Sequence, residues 1–267
     1  MDPITKLFSY LNKEKSSSTY YVLTKYVLNN IKLLPTLSIS DFASKNFVSK
    51  ATITRFVHFL GFDDYLSFKN YFYQMENNSK LSFLKMNNEE IKLIQDNPET
   101  YLEQYSNQII DSIKDARESI KIDEMDKLIS NVMAAKKVAF LGYSDSQIIA
   151  KDIQLALLIV GKDVVVAESS TKLKDILDSF DENDLIVILS NYGTFFKIYS
   201  SFYEQLLASP IPLTLITQNY TSMDLFRFKQ TIYLTSKRQL SVGNYPMRLF
   251  SEVFVRRAMF NFSNEKL

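Results

Sequence analysis

Apolar residues recur at helical spacing throughout the N-terminal part of the chain. Residues 4–33 follow this period, and Pro35 ends the run because proline cannot continue a helix. Between Leu37 and Phe68 the pattern predicts two short helices joined by a tight turn. Residues 65–75 continue at helical spacing and complete a small helical unit. We expect the aromatic residues of this unit to form its core, with stacking on single-stranded nucleic acid as the alternative. They include Tyr20, Tyr21, Phe42, Phe47 and Phe59.

The two short helices have recognisable start and stop signals. The segment from Asn46 to Val48 interrupts the helical pattern and supplies the turn. Ser49 is of a type that commonly caps a helix N-terminus, and Gly61 is of the type that ends a helix in the left-handed conformation. The positions expected to be buried are Ile39, Phe42 and Ala43 in the first helix and Ile53, Phe56, Val57 and Leu60 in the second.

The second short helix starts with small polar and basic side chains on its outward side. These are Lys50, Thr52, Thr54 and Arg55. A DNA major groove admits a helix of this kind. Residues 1–75 contain nine Lys and Arg residues against five Asp and Glu, a net charge of +4, whereas the whole chain has +1. A basic N-terminal unit is typical of proteins that bind the phosphates of double-stranded DNA. A plain helical hairpin with a solvated polar face is the alternative.

From Pro98 onwards, helical segments give way to an alternation of helices and strands. Pro98 is expected at the start of a helix that continues to Ser119, and a second helix is expected over residues 123–135. Short apolar runs then begin at Val138, Val164, Leu185, Pro212 and Thr231. Buried strands that alternate with helices predict a parallel sheet of about five strands, covered on both faces. The expected fold is an α-helical helix-turn-helix domain followed by an α/β three-layer domain.

Two loops follow strands of this predicted sheet, where α/β proteins bind their ligands. They are Gly142–Ser146 and Ser190–Thr194. Each contains a glycine and hydroxyl groups, and each precedes a helix start whose free N–H groups attract an anion. Two such loops on neighbouring strands are suited to hold a sugar phosphate. Ordinary strand-to-helix turns with serine caps are the alternative.

Composition and spacing argue against several classes of catalytic and metal site. Without cysteine, the chain has no disulfide, thiolate metal site or cysteine nucleophile. Its only histidine, His58, is expected to be a phosphate contact or a surface residue. Glu168, Glu204 and Glu252 are candidate bases for sugar isomerisation, but their spacing marks no pair. We predict no catalytic residue, no metal and no cofactor. Early charges and the lack of a long apolar run predict a cytoplasmic protein without signal peptide or membrane span.

The segment from Ser38 to Lys69 resembles the RpiR-type bacterial transcriptional regulators. These proteins join an N-terminal helix-turn-helix to a C-terminal sugar isomerase (SIS) domain, and the order of elements agrees along nearly the whole chain. The family pattern is S-I-x-x-L-A, then V-S-x-x-T-I-x-R-F, then L-G-F and F-K. It is matched by Ser38, Ile39, Ala43, Val48, Ser49, Thr52, Arg55, Phe56, Leu60, Gly61, Phe62, Phe68 and Lys69. The resemblance implies that double-stranded DNA is bound by Ser38, Ser49, Lys50, Thr52, Thr54 and Arg55.

The resemblance also implies a phosphorylated-sugar effector held by the two loops. SIS domains usually read G-x-G-x-S in the first loop, where Ser144 here replaces the second glycine. They usually read S-x-S-G-x-T in the second, where Tyr192 and Phe195 replace the second serine and the threonine. We expect a narrower pocket that binds hexose phosphates weakly and prefers a ligand whose apolar or N-acyl part lies against those rings. The implied effector-binding residues are Gly142, Ser144, Ser146, Ser190, Tyr192, Gly193 and Thr194.

Two helices predict self-association. Residues 153–160 are apolar nearly all round, and a second apolar helix is expected from about Pro246 to Asn261. SIS domains associate through such helices, so the resemblance implies a homodimer or higher homo-oligomer. Two-fold symmetry then predicts an inverted-repeat DNA site. Burial within a single domain is the alternative for residues 153–160.

These features predict a DNA-binding transcriptional regulator of sugar or amino-sugar metabolism. Residues 1–76 would be the DNA-binding domain, 77–98 a linker, and 99–267 the SIS-type domain for effector sensing and dimerisation. Two alternatives remain open. One is a sugar-phosphate isomerase-like enzyme, and the other is a regulator whose SIS domain only dimerises.

Overall fold

The computed structural model describes residues 3–13, 16–77, 86–218 and 223–263. The chain divides into two compact units, Met1–Ile91 and Lys92–Leu267. Among the helices of the described ranges, none combines the length and the apolar character needed to cross a membrane.

The first unit is helical, and its middle forms the predicted helix-turn-helix from α3 and α4. Its helices are α1 (Pro3–Lys13), α2 (Thr19–Asn29), α3 (Ile39–Lys45), α4 (Lys50–Leu60) and α5 (Tyr65–Asn77), with a 3-10 turn at Leu34–Thr36. Ser49 caps α4 by accepting a hydrogen bond from the Thr52 amide at 3.1 Å. Gly61 ends α4 with a φ of 101°. Both boundary predictions are confirmed, because each residue adopts the conformation that its type favours.

Aromatic rings fill the core of the first unit. Phe42, Phe56, Phe68 and Phe72 are completely buried. The rings of Phe42 and Phe68 stack with their centroids 6.1 Å apart. The expectation that Phe47 belongs to this core is wrong: its side chain is 97% exposed. Phe47 lies in the tight turn between α3 and α4 with a φ of 55°, and this backbone conformation directs its ring away from the core.

Part of the predicted linker 77–98 is helical. Asn88–Asp96 forms helix α6, which starts with a reciprocal cap between Asn87 and Glu90. The boundary between the two compact units falls inside this helix. Residues 78–85 of the predicted linker lie outside the described residues.

The second unit is built on a five-stranded parallel sheet. Its strands are β1 (Val138–Gly142), β2 (Val164–Val166), β3 (Leu185–Leu189), β4 (Leu213–Thr217) and β5 (Gln230–Tyr233). Their order across the sheet is β2-β1-β3-β4-β5, and all neighbours are parallel. The predicted strands are confirmed. The ends of β1 and β3 lie side by side, with Gly142 opposite Leu189, so the two candidate loops leave neighbouring strands where the strand order reverses direction.

Helices cover both faces of the sheet. They are α7 (Pro98–Ser119), α8 (Ile122–Ala134), α9 (Asp145–Ile159), α10 (Ser170–Ser179), α11 (Thr194–Ile198), α12 (Ser200–Ala208) and α13 (Tyr245–Ser263). Val138 and Phe140 point into one core, which α8, α9 and α13 complete. Ala139 and Leu141 point into the other, formed with α10, α11 and α12. This alternation is the period of a strand, and it confirms the predicted three-layer α/β arrangement.

Candidate DNA-binding surface and effector loops

The N-terminal half of α4 presents a polar and basic stripe. Ser49, Thr52 and Arg55 follow one another at intervals of three residues, so they share a helix face. Ser49 Oγ and Thr52 Oγ1 lie 2.9 Å apart, and Arg55 Nη2 donates to Thr52 Oγ1 at 3.4 Å. Lys50, Thr54 and Arg55 are exposed, and the first turn of α4 contains no acidic residue. The positive end of the helix therefore carries cationic and hydroxyl groups together.

Ser38 lies at a different helix end from the other five predicted DNA contacts. It caps α3, where its Oγ accepts from the Asp41 amide at 3.1 Å and donates to Asp41 Oδ2 at 2.6 Å. The Asp41 carboxylate stands beside this hydroxyl and repels an approaching phosphate. The structure thus brings together five of the six predicted residues on α4 and its cap, and separates Ser38 from them.

Close packing shapes the loop after β1. A Cβ atom at Gly142 would lie 2.6 Å from the carbonyl carbon of Ser146 and 2.7 Å from the backbone nitrogen of Gln147. Any side chain there would push α9 away from the end of β1. Ser144, the residue in place of the family's second glycine, has φ 55° and ψ −124°, a conformation that glycine adopts much more readily than serine. Ser146 lies in the first turn of α9 and is 4% exposed.

Buried hydrogen bonds close the loop after β3. Ser190 is 1% exposed, and its Oγ accepts from the Phe195 amide at 3.1 Å. Its carbonyl accepts from Thr217 Oγ1 at 2.6 Å, which joins the ends of β3 and β4. The expectation that the Phe195 ring lines the ligand pocket is wrong. That ring is 1% exposed and packs against Phe196 and Tyr199 in the core.

Tyr192 ties this loop to residues 236–241, which we call the strap. Its hydroxyl donates to the Gln239 carbonyl at 3.0 Å and accepts from the Gln239 amide at 3.1 Å. The Arg238 guanidinium lies 5.7 Å from the centre of its ring. Burial raises the pKa of Tyr192, so the hydroxyl stays protonated and can make both bonds at neutral pH. Tyr192 and Gly193 have φ values of 51° and 78°, which bend the chain sharply at this point.

A second anchor holds the strap on α7. The carboxylate of Asp115 accepts from the Ser236 amide at 3.0 Å, from Ser236 Oγ at 2.6 Å and from the Lys237 amide at 3.3 Å. Ser241 Oγ lies 3.3 Å from Gln108 Oε1, also on α7. Sequence reasoning missed the strap, because its partners are far apart in the chain and follow no motif.

Three amide oxygens near the second loop have unmet hydrogen-bonding capacity. The side-chain oxygens of Asn191, Gln239 and Asn244 are buried and have no partner among the described residues. Gln218, which directly follows β4, donates to the Gly243 carbonyl at 3.1 Å, so residues 243–244 lie at the same edge of the sheet. Buried acceptors normally find a donor. A hydroxyl or N–H group of a ligand, or a water molecule, would supply one.

The residues considered for acid–base chemistry form no catalytic group. Glu168 and Glu252 make surface ion pairs with neighbouring basic residues, and Glu204 is exposed on α12. His58 is exposed on α4, in the other unit. The part of the chain that the structure describes has no group of three or more His, Asp or Glu side chains placed to hold a metal ion.

Helix α9 has one buried and one exposed apolar face. Ile153 and Leu157 are buried against the sheet. The other face carries apolar side chains that are between 46% and 68% exposed. This exposed α9 face consists of Ile148, Leu155, Leu158 and Ile159.

Comparisons with known proteins agree with this two-unit architecture. No family model matches the chain. It is 29% identical over 183 residues to an HTH-type transcriptional regulator of Clostridium perfringens, itself uncharacterized. That match covers 68% of this chain and 64% of the relative, so the chain spans less than two thirds of that relative's length. In sequence, the chain is similar to HTH-type transcriptional regulators.

Solved structures show which fold the second unit has. The sugar isomerase domain of an RpiR transcription factor from Sphaerobacter thermophilus superposes with a TM-score of 0.53 at 12% identity, over 60% of this chain and 90% of that one. The second unit has the sugar isomerase fold. The Vibrio vulnificus NanR protein, solved in complex with ManNAc-6P, gives a TM-score of 0.50 at 17% identity and covers 99% of this chain and 94% of that one. The predicted SIS fold is confirmed.

Proposed function

We propose that this chain is a transcriptional regulator of the RpiR type, located in the cytoplasm, that binds double-stranded DNA through α4. The observation that carries the proposal is the polar and basic stripe on α4. Lys50 and Arg55 are exposed there, Thr52 is half-buried, and the first turn has no acidic residue. This stripe occurs in the same chain as a sugar isomerase fold, and the chain resembles HTH-type regulators in sequence. In this proposal residues 1–76 bind DNA, and residues 99–267 sense a ligand and dimerise.

The DNA-binding proposal is tested by selecting duplexes from a random library with the full chain and measuring affinity by fluorescence anisotropy. Arg55→Ala should weaken binding by about 1–3 kcal/mol if Arg55 reads a base. If Arg55 contacts phosphate, the loss should be similar on all sequences, and the salt dependence should flatten. A double variant, Lys25→Ala with Lys32→Ala, removes the same charge from exposed positions outside α3 and α4 and should bind nearly as the parent does. Unchanged binding by the Lys50→Ala, Arg55→Ala double variant would contradict the proposal.

The effector proposal places a phosphorylated sugar at the carboxyl ends of β1 and β3. Ser146 lies at the start of α9, whose backbone N-terminus favours an anion, although Asp145 in the same turn opposes it. The buried oxygens of Asn191, Gln239 and Asn244 favour a ligand that brings hydroxyl or amide N–H donors to the same edge. An N-acylated amino-sugar phosphate has both features. ManNAc-6P, which is bound to NanR in its structure, is therefore a suitable first probe beside hexose 6-phosphates.

Calorimetry with these probes tests the effector site. Ser146→Ala should weaken binding of the sugar phosphate. The affinity of the ligand-free protein for DNA should stay unchanged, because the two sites lie in different units. In a dimer, a ligand that favours one of two subunit arrangements would change the fit to an inverted-repeat DNA site. The exposed α9 face supplies an apolar surface for that dimer.

A regulator whose SIS domain only dimerises is the second candidate. It is favoured by Tyr192, which replaces a serine of the family pattern. The Tyr192 hydroxyl is already hydrogen-bonded to the strap. It is also favoured by the close packing at Gly142. This candidate should replace the effector proposal if calorimetry finds no binding of any sugar phosphate or amino-sugar phosphate and Ser146→Ala alters no regulatory response.

A further inference from the structure

Phe47 combines an unfavourable backbone conformation with an exposed ring. Its φ of 55° lies in the left-handed region, which residues other than glycine rarely adopt. Its side chain is 97% exposed, and no other large apolar side chain among the described residues is as exposed. Neither feature stabilises the folded unit. A contact outside this unit would account for a phenylalanine at this position.

The same helix-turn-helix contains an internal comparison. The amides of Phe47 and Val48 donate to the carbonyls of Ser44 and Ala43 at 3.2 and 3.0 Å, and they end α3 in a Schellman motif. α4 ends with the same pair of bonds, made there by the amides of Gly61 and Phe62 at 2.9 and 3.2 Å. The two turns require the same backbone conformation. One uses glycine, as this motif normally does, and the other uses Phe47.

Phe47 lies directly beside the proposed DNA-binding surface. It is two residues ahead of Ser49, the cap of α4, and so at the end of the helix that carries Lys50 and Arg55. An uncharged ring has no attraction for phosphate. The apolar group that a DNA major groove offers to such a ring is the C5-methyl of thymine. Because the exposed Lys45 and Lys50 flank Phe47 in sequence, a nucleic acid fits this position better than an apolar protein partner.

We propose that Phe47 is a specificity-determining residue that packs its ring on a thymine methyl beside the bases reached by α4. The proposal rests on the DNA-binding function proposed above. The ring would then be covered in the complex, and its exposure in the free protein would be explained. A glycine at position 47 would serve the turn better and leave this contact unmade.

Two variants separate the ring from the backbone conformation. Phe47→Gly removes the ring and relieves the left-handed conformation, whereas Phe47→Ala removes the ring alone. Measured in the full chain on the selected duplex, both variants should lose at least tenfold in DNA affinity. This is roughly the contribution of one large apolar side chain buried in the complex. Hydrogen exchange of residues 39–60 should become several-fold slower only in Phe47→Gly. A structural role predicts opposite results: normal DNA affinity and a less stable turn.

Replacing thymine by deoxyuridine in the selected duplex tests the contact itself. Loss of one buried methyl should weaken DNA binding by the parent about fourfold and leave DNA binding by Phe47→Ala unchanged. A double-mutant cycle separates this coupling from effects of the base change on DNA shape. Equal losses in parent and variant would overturn the thymine contact, as would parent-like affinity in Phe47→Ala. If Lys50→Ala, Arg55→Ala abolishes binding while Phe47→Ala keeps it, only this inference fails. If the parent selects no duplex, the proposed function fails with it.

Discussion

Ser144→Gly should stabilise the second unit, although glycine substitutions usually destabilise. Ser144 has φ 55° and ψ −124° at the end of β1, where a residue other than glycine is strained by roughly 1–3 kcal/mol. Glycine relieves this strain but adds about 0.4–1 kcal/mol of backbone entropy to the unfolded chain. The net expectation is a gain of about 1 kcal/mol.

Hydrogen exchange of the full chain, followed over residues 138–160, measures this gain. A net gain of about 1 kcal/mol should slow exchange through cooperative opening about fivefold. Ser209→Gly is the control, because Ser209 has an unstrained φ of −82° at the end of α12 and its hydroxyl donates to the Leu206 carbonyl at 2.7 Å, so glycine there relieves no strain and removes a hydrogen bond. That variant should be less stable than the parent. Faster exchange in Ser144→Gly, as in the control, would refute the strain argument.

Three further changes test other parts of the structure. Asp184 is 2% exposed and accepts a hydrogen bond from the Lys137 amide at 2.9 Å. Asp184→Ala should therefore lower the free energy of unfolding, measured in urea, by about 2–3 kcal/mol. A loss below half that value would show that the hydrogen bond between Asp184, before β3, and Lys137, before β1, contributes little. Tyr192→Phe removes both bonds to Gln239 and should speed hydrogen exchange of residues 236–241 several-fold, while unchanged exchange there would show that other contacts hold the strap. Leu155→Glu should dissociate the proposed dimer in sedimentation experiments, and a parent that is monomeric at micromolar concentration would exclude that dimer.

Local signals account for the parts of the fold that could be predicted. Ser49 and Gly61 act within one helix turn of their own positions, so their residue types suffice to place the ends of α4. The strands were also predictable, because runs such as Leu185–Leu189 are buried along their whole length. Their parallel pairing follows from the alternation of strands and helices, whereas their order across the sheet, β2-β1-β3-β4-β5, was not predicted.

The parts of the site that could not be predicted depend on contacts between distant residues. Tyr192 meets Gln239 across 47 positions of sequence, and Asp115 meets Ser236 across 121. Residue type alone also misplaced two aromatic side chains. Phe195 was expected in the pocket and lies in the core, whereas Phe47 was expected in the core and is exposed. For Phe47 the left-handed backbone of the tight turn decides where the ring points, whereas Phe195 lies on the buried side of α11.

The central claim is that one chain couples DNA binding to a sugar phosphate. It is tested most directly by the affinity of the full chain for its selected duplex, measured by anisotropy with and without saturating ManNAc-6P or hexose 6-phosphates. At least one of these ligands should change the affinity by about 5–150-fold. Ser146→Ala should reduce this change and leave the affinity without ligand unaltered. An affinity that none of these sugar phosphates alters would contradict the claim.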